Sequence, residues 1–150
     1  THAAILRKVT GIATAAAGYH EVTCSAAHGY TADDEIYFET ESTSNFDLAV
    51  ADMGGTATGG TATYFDDSGA SWNAGELVGR YAHNLTNGEK AEITANTSNR
   101  VTASPASGWS TSDEYYIGGF KVYAPSGTTF DIVDTGITGE TSLTDIWSFV

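Results

Sequence analysis

Apolar and polar residues alternate with a period of two along much of this chain, and this alternation predicts β-strands. Successive side chains of a strand point to opposite faces, so the alternation separates an apolar face from a polar one. Turn residues recur at even spacing between these runs. We therefore expect an all-β fold, a small β-barrel or β-sandwich of about eight to ten short antiparallel strands. The predicted strands outside the centre of the chain are Ile5–Ala13, Tyr19–Ser25, Glu35–Glu39 and Thr128–Val133.

The strongest local signal lies within the stretch Trp72–Gly119, where two strand-like runs flank the dipeptide Asn87-Gly88. Asn-Gly between such runs predicts a β-hairpin with a type I′ turn, because both turn residues must tolerate a positive φ. Neither face of the first run, Leu77–Leu85, is uniformly apolar, which favours a sheet with one half-buried side. We expect Trp72 and Trp109 to cap the two open ends of a small core.

Glycine marks two further features of the chain. The segment Glu41–Thr63 is rich in Ser, Thr, Gly, Ala and Asn, and it contains Gly-Gly-Thr-Ala-Thr twice, at Gly54–Thr58 and Gly59–Thr63. This composition predicts a flexible loop, or a hairpin that orders only against a neighbouring subunit. The pair Gly118-Gly119 lies between two apolar runs and predicts a bulge or bend that separates two strands.

The two ends of the chain carry the candidate contact residues. In the tail, Leu143, Ile146, Trp147 and Val150 stand at i, i+3, i+4 and i+7, which predicts a short C-terminal helix; an extended arm is the alternative. An extended N-terminal arm is the corresponding expectation at the other end. Large apolar residues near a chain end must be buried, in this subunit or in a partner. The predicted interface residues are Arg7, Lys8, Leu143, Ile146, Trp147, Phe149 and Val150.

Length and charge limit the classes of protein to consider. The 150 residues are enough for a single domain, 1–150, or for two β lobes, about 1–65 and 72–150, that share one core. Six basic residues stand against 19 acidic ones, and the formal net charge of −13 repels nucleic-acid phosphates. No apolar run approaches the roughly 20 residues of a membrane span. We expect neither a nucleic-acid partner nor a membrane partner.

Candidate metal ligands are few and poorly spaced. His20, Cys24 and His28 are four residues apart, but on a strand they spread over roughly 26 Å at about 3.3 Å per residue. That is too far for one zinc ion, so we expect His28 to stabilise a turn and Cys24 to be a small buried residue. The acidic clusters Asp33–Glu35 and Asp66-Asp67 are too short to supply the six or more oxygens of a calcium site. We expect no metal and no cofactor.

The sequence contains no recognisable catalytic motif, and its two glycosylation-type patterns have a simpler structural explanation. The chain has no G-x-S-x-G elbow, and its glycine-rich segment lacks the Lys-Ser/Thr of a phosphate loop, so we expect that it is not an enzyme. The single cysteine, Cys24, forms no intrachain disulfide framework and is compatible with synthesis in a cytosol. Asn84-Leu85-Thr86 and Asn96-Thr97-Ser98 match the pattern of glycosylation acceptors. We expect their asparagines to form turns instead.

The central stretch has a pattern W-x-x-G-E-L-V-G-R-Y, then N-x-T-x-G, then I-T-A-N-T, then V-T, and a closing W with D-x-Y-x-I. It resembles a small β module that recurs in structural proteins of tailed bacteriophages, over about a third of the chain. The residues that carry the first signature are Trp72, Gly75, Glu76, Leu77, Val78, Gly79, Arg80, Tyr81, Asn84, Thr86, Gly88, Ile93, Thr94, Ala95, Asn96, Thr97, Val101, Thr102, Trp109, Asp113, Tyr115 and Ile117.

A second signature precedes it, and it is similar to β-barrel-like modules of phage tail and fibre proteins. Its usual turn glycine is replaced by Asp33, and we expect the turn to survive because aspartate tolerates the left-handed conformation better than most residues. The residues that carry this second signature are Val22, Thr23, His28, Gly29, Tyr30, Asp34, Ile36 and Phe38.

The resemblance implies a bacteriophage virion structural protein, assembled in the cytoplasm of the bacterial host. Within that class the small size and the apolar ends favour a capsid decoration (cement) protein. Its partners would be the major capsid protein and copies of itself, with a homotrimer at local three-fold positions as the natural arrangement.

Two alternatives remain open. One is a tail fibre, baseplate or tail-tip component that recognises the host or a glycan, for which Trp72, Trp109, Tyr115 and Tyr116 are the aromatic residues to examine. The other is a polysaccharide-degrading enzyme, which requires carboxylates roughly 5 to 10 Å apart in a cleft.

Overall fold

The computed structural model describes residues 4–40, 53–133 and 143–149. These residues form β-strands joined by turns and loops, without a helix, so the expected all-β fold is confirmed. Within them no helix is long and apolar enough to cross a membrane. The strands are β1 (Ala4–Thr14), β2 (Tyr19–Cys24), β3 (Glu35–Thr40), β4 (Gly54–Thr56), β5 (Gly59–Gly60), β6 (Tyr64–Asp66), β7 (Arg80–Asn84), β8 (Glu89–Glu92), β9 (Ala95–Asn96), β10 (Arg100–Thr102), β11 (Glu114–Lys121), β12 (Tyr123–Ser126), β13 (Thr129–Val133) and β14 (Leu143–Phe149).

The chain divides into two compact units. The terminal unit comprises Thr1–Leu48 and Gly119–Val150, and the central unit comprises Ala49–Gly118. This division differs from the predicted lobes at about 1–65 and 72–150, and each unit has a hydrophobic cluster of its own rather than a share in one core. The bounds differ because β13 and β14 return to pair with strands near the N-terminus, whereas the predicted lobes followed chain order.

The terminal unit is built on one antiparallel sheet with the strand order β12-β13-β2-β1-β14-β3-β11. Its first and last strands, β12 and β11, are separated in sequence only by Val122. The sheet therefore curls, and side chains from both of its ends meet in one core. Among the described strands no pairing joins the two ends, so the sheet does not close into a barrel. The buried residues of this core are Val9, Val22, Cys24, Tyr30, Ile36, Phe120, Val122, Phe130 and Ile132.

The chain ends are strands of this sheet, and the predicted C-terminal helix and free arms are wrong. Strand β14 lies between β1 and β3 and pairs antiparallel with both; Ile146 is opposite Arg7 on one side and Phe38 on the other. Backbone hydrogen bonds on both edges of β14 override the helix-like spacing of its apolar residues. Deleting Leu143–Val150 would thus remove an internal strand rather than an appendage.

The central unit contains two small antiparallel sheets, in the orders β4-β11-β7-β8 and β5-β6-β10-β9. Side chains from both sheets share one core, which is a sandwich-like arrangement. Phe65 lies at its centre: its ring centroid is 4.4 Å from those of Trp109 and Tyr115 and 6.4 Å from that of Trp72. The two tryptophans are therefore core residues that contact the same phenylalanine.

The hairpin around Asn87-Gly88 is present, but its turn is not the predicted type I′. Strands β7 and β8 pair from Tyr81 and Glu92 to Asn84 and Glu89, which leaves a four-residue loop, 85–88. Only Gly88 of the dipeptide has a positive φ, 71°. The side chain of Asn84 closes the loop, since its Oδ1 accepts a hydrogen bond from the Asn87 amide at 3.1 Å. Strand β7 is also buried on both faces rather than on one.

The duplicated Gly-Gly-Thr-Ala-Thr segment is ordered within this chain, contrary to the predicted flexible loop; residues 41–52 of that loop lie outside the described residues. Its first copy forms β4 against β11 and its second forms β5 against β6. The second glycine of each copy lies against an aromatic residue. A Cβ on Gly55 would lie 2.8 Å from the Tyr115 hydroxyl, and one on Gly60 would lie 2.7 Å from the Trp109 carbonyl carbon.

Alanine at Gly60 is expected to destabilise the protein by about 2 kcal/mol, because its methyl group overlaps the backbone of Trp109. The neighbouring substitution Gly59→Ala is the matched control, since its Cβ has no atom nearer than 3.8 Å. Urea unfolding followed by tryptophan fluorescence measures both variants. Equal urea midpoints for Gly60→Ala and Gly59→Ala would show that the close approach of Gly60 to Trp109 does not contribute to stability.

The glycine pair Gly118-Gly119 does not separate two strands. Strand β11 runs without a break from Glu114 to Lys121, and the boundary between the two units falls between these glycines. Gly119 is required by a close backbone approach: a Cβ there would overlap the carbonyl oxygen of Ile36 on β3. The absence of a side chain thus permits pairing, rather than marking a bend.

Candidate functional site

The predicted interface residues lie on paired strands. Lys8 on β1 is exposed, whereas Arg7 is half-buried and its Nε donates a hydrogen bond to the His28 carbonyl at 3.0 Å. Leu143, Ile146, Trp147 and Phe149 belong to β14, and Val150 lies outside the described residues. Because β1 and β14 are neighbours, the structure brings the two ends of the chain together in one sheet.

All three candidate zinc ligands, His20, Cys24 and His28, are buried in the terminal unit. His28 is buried; its Nδ1 accepts a hydrogen bond from the Tyr30 amide at 2.9 Å, and its Nε2 lies 2.8 Å from the Thr129 carbonyl oxygen. The expectation that His28 stabilises a turn is confirmed. Cys24 is a buried free thiol, as expected, and burial raises its pKa although the nearby Arg7 charge acts in the opposite direction.

The acidic clusters direct their carboxylates to different partners. In the first cluster Asp34 accepts from the Thr31 amide at 2.9 Å, and Glu35 accepts from the Gly119 amide at 2.8 Å. In the second, Asp67 accepts from the Tyr115 hydroxyl at 2.6 Å. Among residues 4–40, 53–133 and 143–149 no group of three or more His, Cys, Asp or Glu side chains is placed to hold a metal ion.

Most of the aromatic residues considered for glycan recognition lie in the interior. Trp72, Trp109 and Tyr115 are buried in the core of the central unit, and Trp109 donates its indole N–H to the Ala103 carbonyl at 2.9 Å. Tyr116 is the exception, with 38% of its surface exposed. The three buried rings are therefore unable to stack against a sugar, and their role is packing.

Both glycosylation-type asparagines are also buried. Asn84 closes its loop as expected, whereas Asn96 lies on β9 and bonds a distant segment of the chain. The Asn84 Nδ2 donates to Asp113 at 2.8 Å. Asn96 accepts from the Leu77 amide at 3.0 Å and donates to the Asn73 carbonyl at 2.9 Å. Their side-chain nitrogens are thus committed to hydrogen bonds inside the central unit.

An open polar groove lies on the surface of the central unit. It encloses about 380 Å³, and every residue that lines it has a polar side chain. Strands β6 and β10, which pair antiparallel, place Asp66 directly opposite Arg100 on its floor. The remaining residues come from the adjoining turns. The groove is lined by Thr58, Asp66, Ser68, Thr97, Asn99 and Arg100.

The guanidinium of Arg100 contacts two neighbours in this groove, the Asp66 carboxylate and the Tyr64 ring. Its Nε and Nη2 donate to the two carboxylate oxygens of Asp66 at 2.6 and 2.8 Å, and it lies 3.8 Å from the centre of the Tyr64 ring. The hydrogen bond from Arg100 lowers the pKa of Asp66, an effect that partial burial opposes and the Arg100 charge reinforces. The same bond raises the pKa of Arg100. The pair therefore stays ionised.

Replacing Asp66 with asparagine should lower stability at neutral pH but not in acid. A carboxylate whose folded-state pKa is depressed stabilises the fold above its unfolded pKa, about 3.9, and this contribution is lost as the pH falls through the lower folded value. Urea midpoints of wild type and Asp66→Asn should differ slightly at pH 6 and converge once the pH is low enough to protonate Asp66 in the folded protein. Glu114→Gln, a substitution at an exposed residue, is the control. If the urea midpoint of Asp66→Asn stayed below that of wild type in acid, the ion pair would not be the cause of the difference.

Sequence patterns did not identify this groove. Asp66 and Arg100 are 34 residues apart, and each is the terminal residue of a short strand whose partner is not evident from local periodicity. The available signal was a Tyr-x-Asp on β6 and an arginine at the start of β10. Only the strand register brings the aromatic ring, the acid and the base together.

The chain matches no known protein family, and neither the curated proteins nor the solved structures include a significantly similar one. The resemblance to phage structural modules therefore depends on the residues of its two signatures alone. The structure does show what those residues do in the fold, and this is the basis for the proposal that follows.

Proposed function

We propose that this chain is a structural protein of a bacteriophage virion, and within that class a capsid decoration protein. It would stabilise the shell through contacts with the major capsid protein and with other copies of itself, arranged as trimers. The observation that carries the proposal is that each of the two signatures coincides with the framework of one compact unit. Two joined modules of the kind found in phage structural proteins would have this organisation.

The first signature accounts for the central unit. Seven of its apolar and aromatic residues belong to the core, and its polar residues Asn84, Asn96 and Asp113 are buried and hydrogen-bonded. A pattern whose members specify packing and turns is typical of a scaffold module. The core members are Trp72, Leu77, Ile93, Val101, Trp109, Tyr115 and Ile117.

The second signature accounts for the terminal unit in the same way. Val22, Tyr30 and Ile36 are core residues, and His28 bonds to the Tyr30 amide. Asp33, which replaces the usual glycine, has a φ of 74°. The left-handed turn is therefore retained, as expected, and the one departure from the pattern does not change the backbone.

The pairing of β1 with β14 changes how such a protein would act. Arms that insert into neighbouring capsomers were the expected mechanism, but residues 4–14 and 143–149 are strands of the chain's own sheet. Contacts with a shell would then be made by the folded surface, including exposed Lys8, and would add interface area rather than chemistry.

Gold-labelled antibody against this chain, applied to purified particles and imaged by electron microscopy, tests the proposal. We expect label over the whole head. Label at one end of the particle only would replace decoration with the tail alternative, and particles without label would overturn the virion role. Antibody absorbed beforehand with the purified chain is the control for non-specific binding.

A further inference from the structure

The geometry points to a carbohydrate-binding site in the polar groove formed by Thr58, Asp66, Ser68, Thr97, Asn99 and Arg100, with a neutral, hydroxyl-rich sugar as its ligand. This inference goes beyond the proposed structural role and does not depend on it. It is based on three properties of the groove: its polar lining, the fixed position of Arg100 and the cancellation of charge between Arg100 and Asp66.

The fixed position of Arg100 makes the groove a prepared site. Two hydrogen bonds to Asp66 and the contact with the Tyr64 ring determine where the planar guanidinium lies. A long side chain normally loses conformational freedom when it binds a ligand, which weakens binding. Here the bidentate pair with Asp66 and the Tyr64 contact already restrict that freedom in the folded protein, although the Arg100 side chain is 45% exposed.

Hydrogen-bonding capacity remains at the groove surface. Among the described residues no group accepts from the two Nη1 protons of Arg100, and none bonds the hydroxyl of Ser68 or the amide nitrogen of Asn99. Each carboxylate oxygen of Asp66 also keeps a free lone pair. Donors and acceptors therefore stand side by side. Adjacent sugar hydroxyls, each of which both donates and accepts, complement such an arrangement.

The charge of the groove selects against ionised ligands. Asp66 and Arg100 form a bidentate pair whose formal charges cancel, and the chain as a whole carries a net charge of −13. A sulfated or carboxylated ligand would meet the Asp66 carboxylate and a repulsive overall field. A cation would meet the guanidinium. A neutral ligand avoids both costs.

The sugar would be held by hydrogen bonds without stacking on an aromatic ring. The Tyr64 face is covered by Arg100, and the rings of Trp72, Trp109 and Tyr115 are buried. A few hydrogen bonds alone correspond to weak binding, with a Kd on the order of 1 mM for a single site. Multiple copies presented together would raise the apparent affinity strongly.

The test begins with the full 150-residue chain coupled to fluorescent beads, which supplies multivalency. The beads are applied to a printed array of neutral, sialylated and sulfated oligosaccharides. We expect binding to neutral oligosaccharides. Binding to none, or only to the sialylated or sulfated ones, would overturn the inference.

Variants and an NMR titration then locate the site. Asn99→Ala and Arg100→Lys should each weaken binding of the neutral oligosaccharide about 10-fold or more, and chemical-shift changes should centre on the amides of residues 58, 66–68 and 97–100. Lys90→Ala is the matched control, because Lys90 contacts the Tyr81 ring at 4.4 Å outside the groove. Unchanged binding in Asn99→Ala and Arg100→Lys, or chemical-shift changes elsewhere in the chain, would contradict the assignment.

Discussion

Replacing Phe65 with alanine is expected to cost about 4 kcal/mol of stability, the largest loss predicted here for a single side chain. Phe65 is fully buried, and its ring contacts Trp109 and Tyr115 at centroid distances of 4.4 Å, so truncation leaves a cavity among large rigid rings. Because Trp72 and Trp109 belong to the same core, the loss should appear in urea unfolding followed by tryptophan fluorescence.

The matched control for this variant is Leu85→Ala. Leu85 is a large apolar residue of the same unit, but 55% of its surface is exposed, so its truncation removes little buried area. We expect a midpoint close to that of wild type. A loss for Phe65→Ala no larger than that for Leu85→Ala would show that the aromatic cluster is not the core of the central unit.

Gly119→Ala is expected to be the most damaging change in the terminal unit, with a cost of about 3 kcal/mol. Its methyl group would overlap the Ile36 carbonyl oxygen and lie 2.9 Å from the Ile36 carbonyl carbon. Phe120 pairs with Ile36 at this point, so relief of the overlap requires β11 and β3 to separate. Thermal unfolding followed by far-UV circular dichroism measures the effect.

Gly11→Ala on β1 provides the comparison, because a Cβ at that position meets no atom within 4 Å. It should leave the unfolding temperature nearly unchanged. The contact between β11 and β3 would be refuted if Gly119→Ala unfolded at the same temperature as Gly11→Ala.

The strands that local pattern predicted well are those with clear alternation between turn residues. The predicted runs Ile5–Ala13, Tyr19–Ser25 and Thr128–Val133 correspond to β1, β2 and β13 within one or two residues at each end. Alternation of apolar and polar residues with a period of two predicts a half-buried strand from the local sequence alone, whichever strand it pairs with. The all-β fold class follows from the same signal.

Failures occurred where pairing between distant segments decided the structure. The apolar residues of β14 have helical spacing, but backbone pairing with β1 and β3 makes the segment a strand. The Gly54–Thr63 repeat has the composition of a loop, yet it is ordered because glycine lets the chain pass close to Tyr115 and Trp109. Local composition contains no information about those neighbours.

The candidate groove could not be predicted from the sequence, because it also depends on pairing between distant segments of the chain. Its floor is a cross-strand pair, Asp66 and Arg100, and the register between β6 and β10 is set by packing of Phe65 and Val101, which lie opposite each other in the core. Three of the aromatic residues that the sequence marked for ligand binding, Trp72, Trp109 and Tyr115, instead pack against Phe65 in this core. Large aromatic residues in a small β unit more often belong to the hydrophobic core than to a ligand-binding site.

Hydrogen–deuterium exchange on the full chain, comparing wild type with Phe65→Ala, most directly tests the central claim that each signature builds a separate unit with its own core. We expect exchange to accelerate for amides of β6, β7 and β10 in the central unit, while amides of β2 and β13 in the terminal unit keep their protection. Equal acceleration in both sets would mean that the two signatures share one core, and it would contradict two separate units.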